Sequence, residues 1–157
     1  MKILSRVVLS FLFASVSYSL SAQQPFEHYK TRIYKGPLAK LVFAHNPVGK
    51  MYRTIITDTY YYKPYMVKGR KRTGMNFAGH YCFVWWGCGS NCQNSAIVDT
   101  KTGIIYPGVT AALGYKFERD SRLLVINPGS TANDCAFCEQ QFWVWEEHTK
   151  SFFHLRK

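Results

Sequence analysis

The second half of the chain carries hydrophobic patterns that are typical of antiparallel strands. Residues 79–86, GHYCFVWW, are apolar at nearly every position, which predicts a strand buried on both faces and therefore central in its sheet. SAIVD and GIIYP flank residues 100–103, and Gly103 supplies the positive φ that such a hairpin turn needs. Further strands are predicted at residues 122–127, 142–145 and 151–155, the last two joined by a polar turn.

One helix is predicted before these strands. Asn46 is a favourable N-cap, and Pro47 suits the first helical turn because an N–H there would have no helical partner. The chain is therefore predicted to adopt an α+β fold, an antiparallel β-sheet of about five to six strands with one helix, residues 47–60, packed on it. The residues expected on the buried helical face are Val48, Met51, Tyr52, Ile55 and Thr59.

The N-terminal residues predict export. Two basic residues precede an apolar stretch over residues 7–20, and small residues follow it, which is the layout of a cleaved signal peptide. The alternative is a membrane anchor, but a spanning helix needs roughly 20 mostly apolar residues, and this stretch is shorter and interrupted by serines. Residues 1–22 are thus predicted as signal peptide. Residues 23–157 are predicted as a single α+β domain, periplasmic or secreted, with no transmembrane segment after cleavage.

The chain is strongly basic, with 20 Lys and Arg against 9 Asp and Glu. Removal of Lys2 and Arg6 with the signal peptide leaves 18 against 9, a net charge of +9. Such an excess favours anionic partners, here an acidic protein, an acidic glycan or a lipid surface. The alternative is that the charge serves solubility alone. Nucleic acid is not an expected partner, because an exported chain does not meet it and no nucleic-acid-binding motif is present.

Basic and aromatic residues are interleaved between the predicted helix and the first strand. Residues 60–73 read YYYKPYMVKGRKRT and include no acid. Such a mixture suits an anionic surface, whereas the alternative is a solvated loop whose charges repel one another. The candidate binding residues are Lys63, Tyr65, Lys68, Arg70, Lys71 and Arg72.

The predicted export determines whether the five cysteines form disulfides. Disulfides persist outside the cytoplasm, so two are predicted, Cys88–Cys92 and Cys135–Cys138, with Cys82 left as a buried thiol in the first strand. Cross-pairing of the same four cysteines competes with this pairing, since it closes a longer loop and constrains the unfolded chain more. Their spacing also permits a four-cysteine zinc site or a C-x-x-C redox centre. No metal or cofactor is predicted.

His80 and Asp99 are the candidate catalytic residues. A hydrolase would use His80 as a base oriented by Asp99, with the N–H groups of loop residues 87–91 facing an oxyanion. Cys88 is a candidate nucleophile for the same base. The alternative is that His80 is structural, as a histidine within a strand commonly is. The remaining histidines are scattered without ligand spacing: His28, His45, His148 and His154.

Three motifs follow one another between residues 76 and 103: N-F-A-G-H-Y, W-G-C-G-x-x-C and A-I-V-D-x-x-T-G. Together they resemble a core found in uncharacterised small exported bacterial proteins. The resemblance extends to the predicted helix and to the SRLLV strand, but it implies no activity and no ligand. Cys82 departs from the pattern, which has another residue there. Residues 60–73 are longer and more basic than in those proteins.

The sequence therefore predicts an exported cell-envelope protein, a non-catalytic binding module of inhibitor or immunity type for an acidic partner. The alternative is an envelope hydrolase that uses His80 and Asp99 near residues 87–91. The two interpretations differ in whether the polar residues of the first strands line an accessible site.

The disulfide prediction has a direct chemical test. Alkylation of the unfolded protein without reductant is expected to modify one of the five cysteines, because sulfurs in disulfides do not react. Reduction beforehand should raise the number to five. Mass spectrometry counts the adducts. Five adducts without reductant, or four further thiols exposed by a chelator, would contradict the two disulfides.

Overall fold

The computed structural model describes residues 24–44, 46–61 and 74–156. These residues form three short helices and seven strands in two antiparallel sheets, ordered β1-β2-β3 and β4-β5-β6-β7. The helices are α1 (Gln24–Glu27), α2 (Pro47–Met51) and α3 (Arg53–Tyr60). The strands are β1 (Tyr81–Gly89), β2 (Cys92–Asp99), β3 (Ile105–Pro107), β4 (Tyr115–Phe117), β5 (Leu123–Ile126), β6 (Gln141–Glu146) and β7 (Ser151–Leu155).

The two sheets pack face to face around a shared core. Phe83 of β1, Leu124 of β5 and Trp145 of β6 belong to one buried cluster between the sheets. The alternate residues of β1 and β5 face outward, because successive side chains of a strand point to opposite sides. α3 covers the outward residues of β1, and α1 covers those of β5. Both strands are therefore buried on both faces.

The predicted antiparallel β fold with few helices is confirmed, but its details differ. Seven described strands form two sheets, whereas the sequence predicts about five to six strands in one sheet. β1 is an edge strand and not a central one. Its side chains are buried because other layers of the fold cover both of its faces, and a strand on each side is not needed for this. The pattern misses β4, since its three residues are too few to show an alternation.

The single predicted helix is present as two helices that meet at Tyr52. Asn46 caps α2 as predicted, since its Oδ1 accepts a hydrogen bond from Gly49 N at 2.7 Å. Tyr52 leaves helical geometry at ψ 26°, and its ring stacks on Trp86 with 4.2 Å between centroids. The stacking attaches the junction of the two helices to β1.

The predicted helical face is correct from Tyr52 onward and wrong in α2. Thr59 is buried, and Tyr52 and Ile55 pack partly buried against the outer cluster of the first sheet. Val48 and Met51 of α2 are exposed. The break at Tyr52 is the reason, because helical spacing does not continue from one helix into the next across it.

The N-F-A-G-H-Y motif forms the turn that leads into β1. Ala78 and Gly79 both have a left-handed backbone, with φ of 44° and 77°. A Cβ at Gly79 would lie 2.4 Å from Arg32 O, so this position admits glycine alone. Gly79 N donates a hydrogen bond to Arg119 O at 2.7 Å. These contacts fix the point at which His80 enters the sheet.

Asparagine side chains bind both outer edges of the first sheet, each at one residue. Asn76 Oδ1 accepts a hydrogen bond from Phe83 N at 2.7 Å, and Asn76 Nδ2 donates to Phe83 O at 3.0 Å. This amide takes the place of a neighbouring strand at the edge of β1. On β3, Asn46 Nδ2 donates to Ile105 O at 2.7 Å. Backbone groups that would otherwise attract another strand are thus satisfied within the chain.

Both predicted disulfides are present, Cys88–Cys92 and Cys135–Cys138. Cys82 lies outside them and is buried in β1. β1 continues through Cys88 to Gly89, so the predicted loop of residues 87–91 is mostly strand and ends in a tight hairpin turn.

Asn127 attaches the second disulfide loop to the fold. It is fully buried, its Oδ1 accepts a hydrogen bond from Leu113 N at 2.8 Å, and its Nδ2 donates to Phe137 O at 2.9 Å. Ala111, in the same connection as Leu113, forms a bridge to Gln93 beside the first disulfide. Both disulfides therefore lie at one end of the sandwich, which we call the disulfide end.

Residues 1–22, the predicted signal peptide, lie outside the described residues. Among the described residues, no helix is long and apolar enough to cross a membrane.

Replacing Asn76 by Ala is expected to lower the free energy of unfolding by about 2–3 kcal/mol, because both backbone groups of buried Phe83 lose their partner. Urea unfolding followed by circular dichroism measures the change. Asn94→Ala is the matched control: its side chain accepts one exposed hydrogen bond from Thr110, and we expect a change below about 0.5 kcal/mol. Equal losses in the two variants would contradict the role of Asn76 at the strand edge.

Candidate functional site

Polar side chains gather at the end of the sandwich opposite the disulfide end. Tyr81 and Asp99 form the first register pair of β1 and β2, and His80 directly precedes this pair. Thr100 closes the strand ends, since its N–H and its Oγ1 both donate to His80 O, at 3.0 and 2.6 Å. The β6–β7 turn packs over the same place. We call this group the polar cluster: His80, Tyr81, Asp99, Thr100, Glu147 and Lys150.

His80 lies between two carboxylates of the polar cluster. Its Nε2 is 3.6 Å from Glu147 Oε1 and 3.9 Å from Asp99 Oδ1, which are ion-pair distances and not hydrogen bonds. Burial lowers the pKa of His80 below its ordinary value, and Lys101 acts in the same direction. Glu147 and Asp99 oppose this shift without cancelling it. The imidazole therefore stays neutral to a lower pH than an exposed histidine would.

The Tyr81 hydroxyl is the centre of a hydrogen-bond network. It donates to Glu147 Oε2 at 2.7 Å and accepts from Lys150 Nζ at 2.7 Å. Lys150 also forms an ion pair with Glu147 and lies 3.9 Å from Asp99 Oδ2. The network attaches the β6–β7 turn to the first strand pair.

The network sets the protonation states of its three members. Burial raises the pKa of the Tyr81 hydroxyl, so it stays neutral. Burial alone would raise the pKa of Glu147, but the hydrogen bonds from Lys150 and Tyr81 outweigh it and the pKa falls below its ordinary value. Burial would lower the pKa of Lys150, but Glu147 and Tyr81 raise it overall. Glu147 is thus ionised and Lys150 protonated at neutral pH.

The polar cluster has residue types that transfer protons, but His80, Tyr81 and Asp99 are buried, and the Tyr81 hydroxyl is already hydrogen-bonded. Tyr81 is fully buried, and its hydroxyl is bonded on both sides. His80 is only 8% exposed. The arrangement fits a clamp between β1 and the β6–β7 turn.

The structure brings together only part of the predicted hydrolase site. His80 and Asp99 meet, but residues 87–91 lie at the disulfide end, roughly 25 Å away along β1 at about 3.3 Å per residue. The backbone N–H groups of that turn therefore do not face His80. Cys88 is at the same distant turn and is held in a disulfide, so it is not a nucleophile for this histidine.

Sequence reasoning missed Glu147 and Lys150. Both lie in a polar turn whose pattern predicts nothing beyond a hairpin. Glu147 is 66 residues from Tyr81, its hydrogen-bond partner, and only the packing of the two sheets brings them together. Among the described residues, no group of three or more His, Cys, Asp or Glu side chains is placed to hold a metal ion.

A cationic surface adjoins the polar cluster around the β2–β3 turn. The Lys101 Nζ lies 5.5 Å from the ring centroid of Tyr34. Lys40 lies beside the same turn, since a Cβ at Gly103 would be 1.8 Å from Lys40 O. No described carboxylate is within ion-pair distance of Lys35, Lys40 or Lys101.

The residues that flank residues 62–73 meet at this surface. A Cβ at Gly74 would lie 2.1 Å from Tyr60 O, so the two flanks are in contact. Tyr60 OH donates to Ala39 O at 2.8 Å, and Ala39 N donates to Thr100 O at 2.9 Å. The candidate binding residues fall within residues 62–73, outside the described part of the chain: Lys63, Tyr65, Lys68, Arg70, Lys71 and Arg72.

Comparison of the chain with protein-family models, with curated proteins and with solved structures finds no match. The resemblance of the three sequence motifs to exported bacterial proteins stays a prediction. Functional inference therefore rests on the geometry and the charge of this chain.

Replacing His80 by Gln is expected to flatten the pH dependence of stability between about pH 7 and 5. Because burial lowers the pKa of His80 in the folded state, its contribution is present above its ordinary pKa near 6.5 and is lost as the pH falls below it. Urea unfolding at pH 7.5 and 5.5 measures the difference for both proteins. An equal loss of stability on acidification in the two proteins would contradict the placement of His80.

Proposed function

We propose that this chain is a non-catalytic binding module of the cell envelope that holds an acidic partner, as an inhibitor or immunity protein does. The observation that carries the proposal is that Lys40 and Lys101 have no described carboxylate partner and lie next to the flanks of residues 62–73, which hold five Lys and Arg and no acid. The partner's anionic groups would meet the cationic surface around the β2–β3 turn and the basic residues of the adjoining segment.

The distribution of charge supports this proposal more than the net charge does. The described residues hold 12 Lys and Arg against 9 Asp and Glu, a net charge of only +3. Residues 62–73 hold five Lys and Arg and no acid. A charge that served solubility alone would have no reason to be concentrated in this way, whereas a binding surface gains from local accumulation.

The ion pairs of the acidic residues also support a binding surface. Lys30 is surrounded by Glu27, Glu118 and Asp120, with the closest oxygen at 2.9 Å. Glu147 is engaged by Lys150. These carboxylates are thus paired with Lys30 and Lys150 and not with Lys40 or Lys101, which are left for an external anion.

The two flanks of residues 62–73 are in contact with each other. A Cβ at Gly74 would lie 2.1 Å from Tyr60 O, and Tyr60 is fully buried in the outer cluster of the first sheet. Tyr60 OH donates to Ala39 O, so the flanks of the basic segment are packed next to Lys40.

A hydrolase is not proposed as a second function. His80 and Asp99 are buried, and the Tyr81 network occupies the neighbouring carboxylate. The turn that would supply oxyanion donors is at the opposite end of β1.

Replacing Arg70, Lys71 and Arg72 together by Ala is expected to weaken binding to an anionic support. Each cation near an anionic surface contributes about 1 kcal/mol, so the variant should elute from heparin at a salt concentration lower by on the order of 0.1 M. Salt-gradient elution measures the shift, and sedimentation with vesicles containing anionic lipid repeats it on a second anion.

The control removes the same charge elsewhere. Lys50, Lys116 and Arg156 are exposed described residues that belong neither to the β2–β3 turn nor to residues 62–73. Their joint replacement by Ala should shift elution by less than half as much. If both triple variants elute at the same salt concentration, net charge alone explains retention and the proposed surface is wrong.

A further inference from the structure

We propose that β7 is a self-association edge, at which two copies of this chain pair their β7 strands antiparallel about a two-fold axis at Phe153. The second sheet of one copy would then continue into that of the other. This surface is separate from the cationic surface of the proposed function.

Each of the other sheet edges carries a protective feature within the described part of the chain. Asn76 binds the edge of β1 at Phe83, and Asn46 binds that of β3 at Ile105. β4 is only three residues long and carries exposed Lys116 at its centre. Short length and lysine are both features that prevent edge-to-edge pairing.

β7 has none of these protections. It is five residues long, and its sequence SFFHL includes no Asp, Glu, Lys or Arg. The described backbone hydrogen bonds of β7 run to β6 alone, so its other side presents unpaired N–H and C=O groups. Phe153 is 64% exposed on this strand. A bare edge with an exposed aromatic is the kind of strand that recruits another strand.

The strand is also complementary to itself. In an antiparallel pair centred on Phe153, each Phe153 lies opposite its own copy and Ser151 lies opposite Leu155. Phe152 then lies opposite His154, which extends the existing stack of His154 on Trp143 at 4.6 Å between centroids. Directly opposed aromatic pairs stabilise antiparallel strands. A two-fold arrangement closes on itself and leaves no further β7 edge exposed.

The charges at the strand ends add nothing to the attraction. In this register, exposed Arg156 lies opposite Lys150 of the other copy, and Lys150 is already paired with Glu147. Pairing of β7 therefore rests on its backbone groups and its aromatic side chains.

The expected affinity is modest. Two five-residue strands bury less than the roughly 1,200–2,000 Å² of a stable interface, so we expect a dissociation constant between about 10 µM and 1 mM. Sedimentation velocity of the exported protein from about 5 µM to 1 mM should show the average mass rising towards that of a dimer. A monomer at every concentration would overturn the proposal, whatever else β7 binds.

Variants at two exposed phenylalanines make the test specific. Phe153→Lys places a charge on the edge and should raise the dissociation constant at least about tenfold. Phe137→Lys is the matched control, because Phe137 is 84% exposed but lies in the disulfide loop and not on a strand. If the two variants weaken association equally, or if Phe153→Lys has no effect, association does not run through β7.

Cysteine cross-linking tests the register itself. Phe153→Cys should form a disulfide-linked dimer under mild oxidation, because residue 153 faces its own copy. Ser151→Cys should not, since the two copies of residue 151 would be about 13 Å apart along the strands. Non-reducing electrophoresis measures both results. Because the disulfide traps the dimer covalently, weak association does not prevent its detection. Cross-linking of Ser151→Cys with none for Phe153→Cys would contradict the proposed axis.

Discussion

Burial of the β1–β2 hairpin on both faces is the constraint on which the rest of the structure depends. Its inward residues need the second sheet and its outward residues need α3, so three layers have to assemble around one hairpin. Apolar burial of this kind dominates the stability of small domains. The hairpin also sets the long axis of the molecule. One of its ends carries the polar cluster and the other carries the Cys88–Cys92 disulfide.

The two ends have different chemistry. The disulfide end is held by covalent links and by the buried amide of Asn127. The other end is held by ion pairs and hydrogen bonds around Tyr81, next to Lys40 and Lys101, for which the described residues supply no carboxylate partner. Placing the charged surface on a network that is itself neutralised lets the lysines face outward without weakening the fold beneath them. This division supports a binding role in which the partner meets one end only.

Local signals accounted for the hairpins and the cysteines. Gly103 and the alternation around it predict the β2–β3 turn, and export with short cysteine spacing predicts both disulfides. The division into two sheets could not be predicted in this way, because it depends on contacts such as that of Phe83 with Phe117 across the core, with 4.8 Å between ring centroids. The predicted helix face is correct in α3 and wrong in α2, because no local pattern shows the break at Tyr52, whose ring stacks on Trp86. His80 and Asp99 were found, whereas Glu147 was not.

The turn at Gly79 limits which substitutions this protein tolerates. Its left-handed backbone and the closeness of Arg32 O exclude every side chain, even a methyl group. A collision there would push the extended segment before α2 off the sheet, since Tyr34 N donates to Gly79 O at 2.8 Å. Tolerance to mutation around the polar cluster is therefore uneven. A library that diversifies this region should keep residue 79 constant and search for new specificity among the exposed lysines.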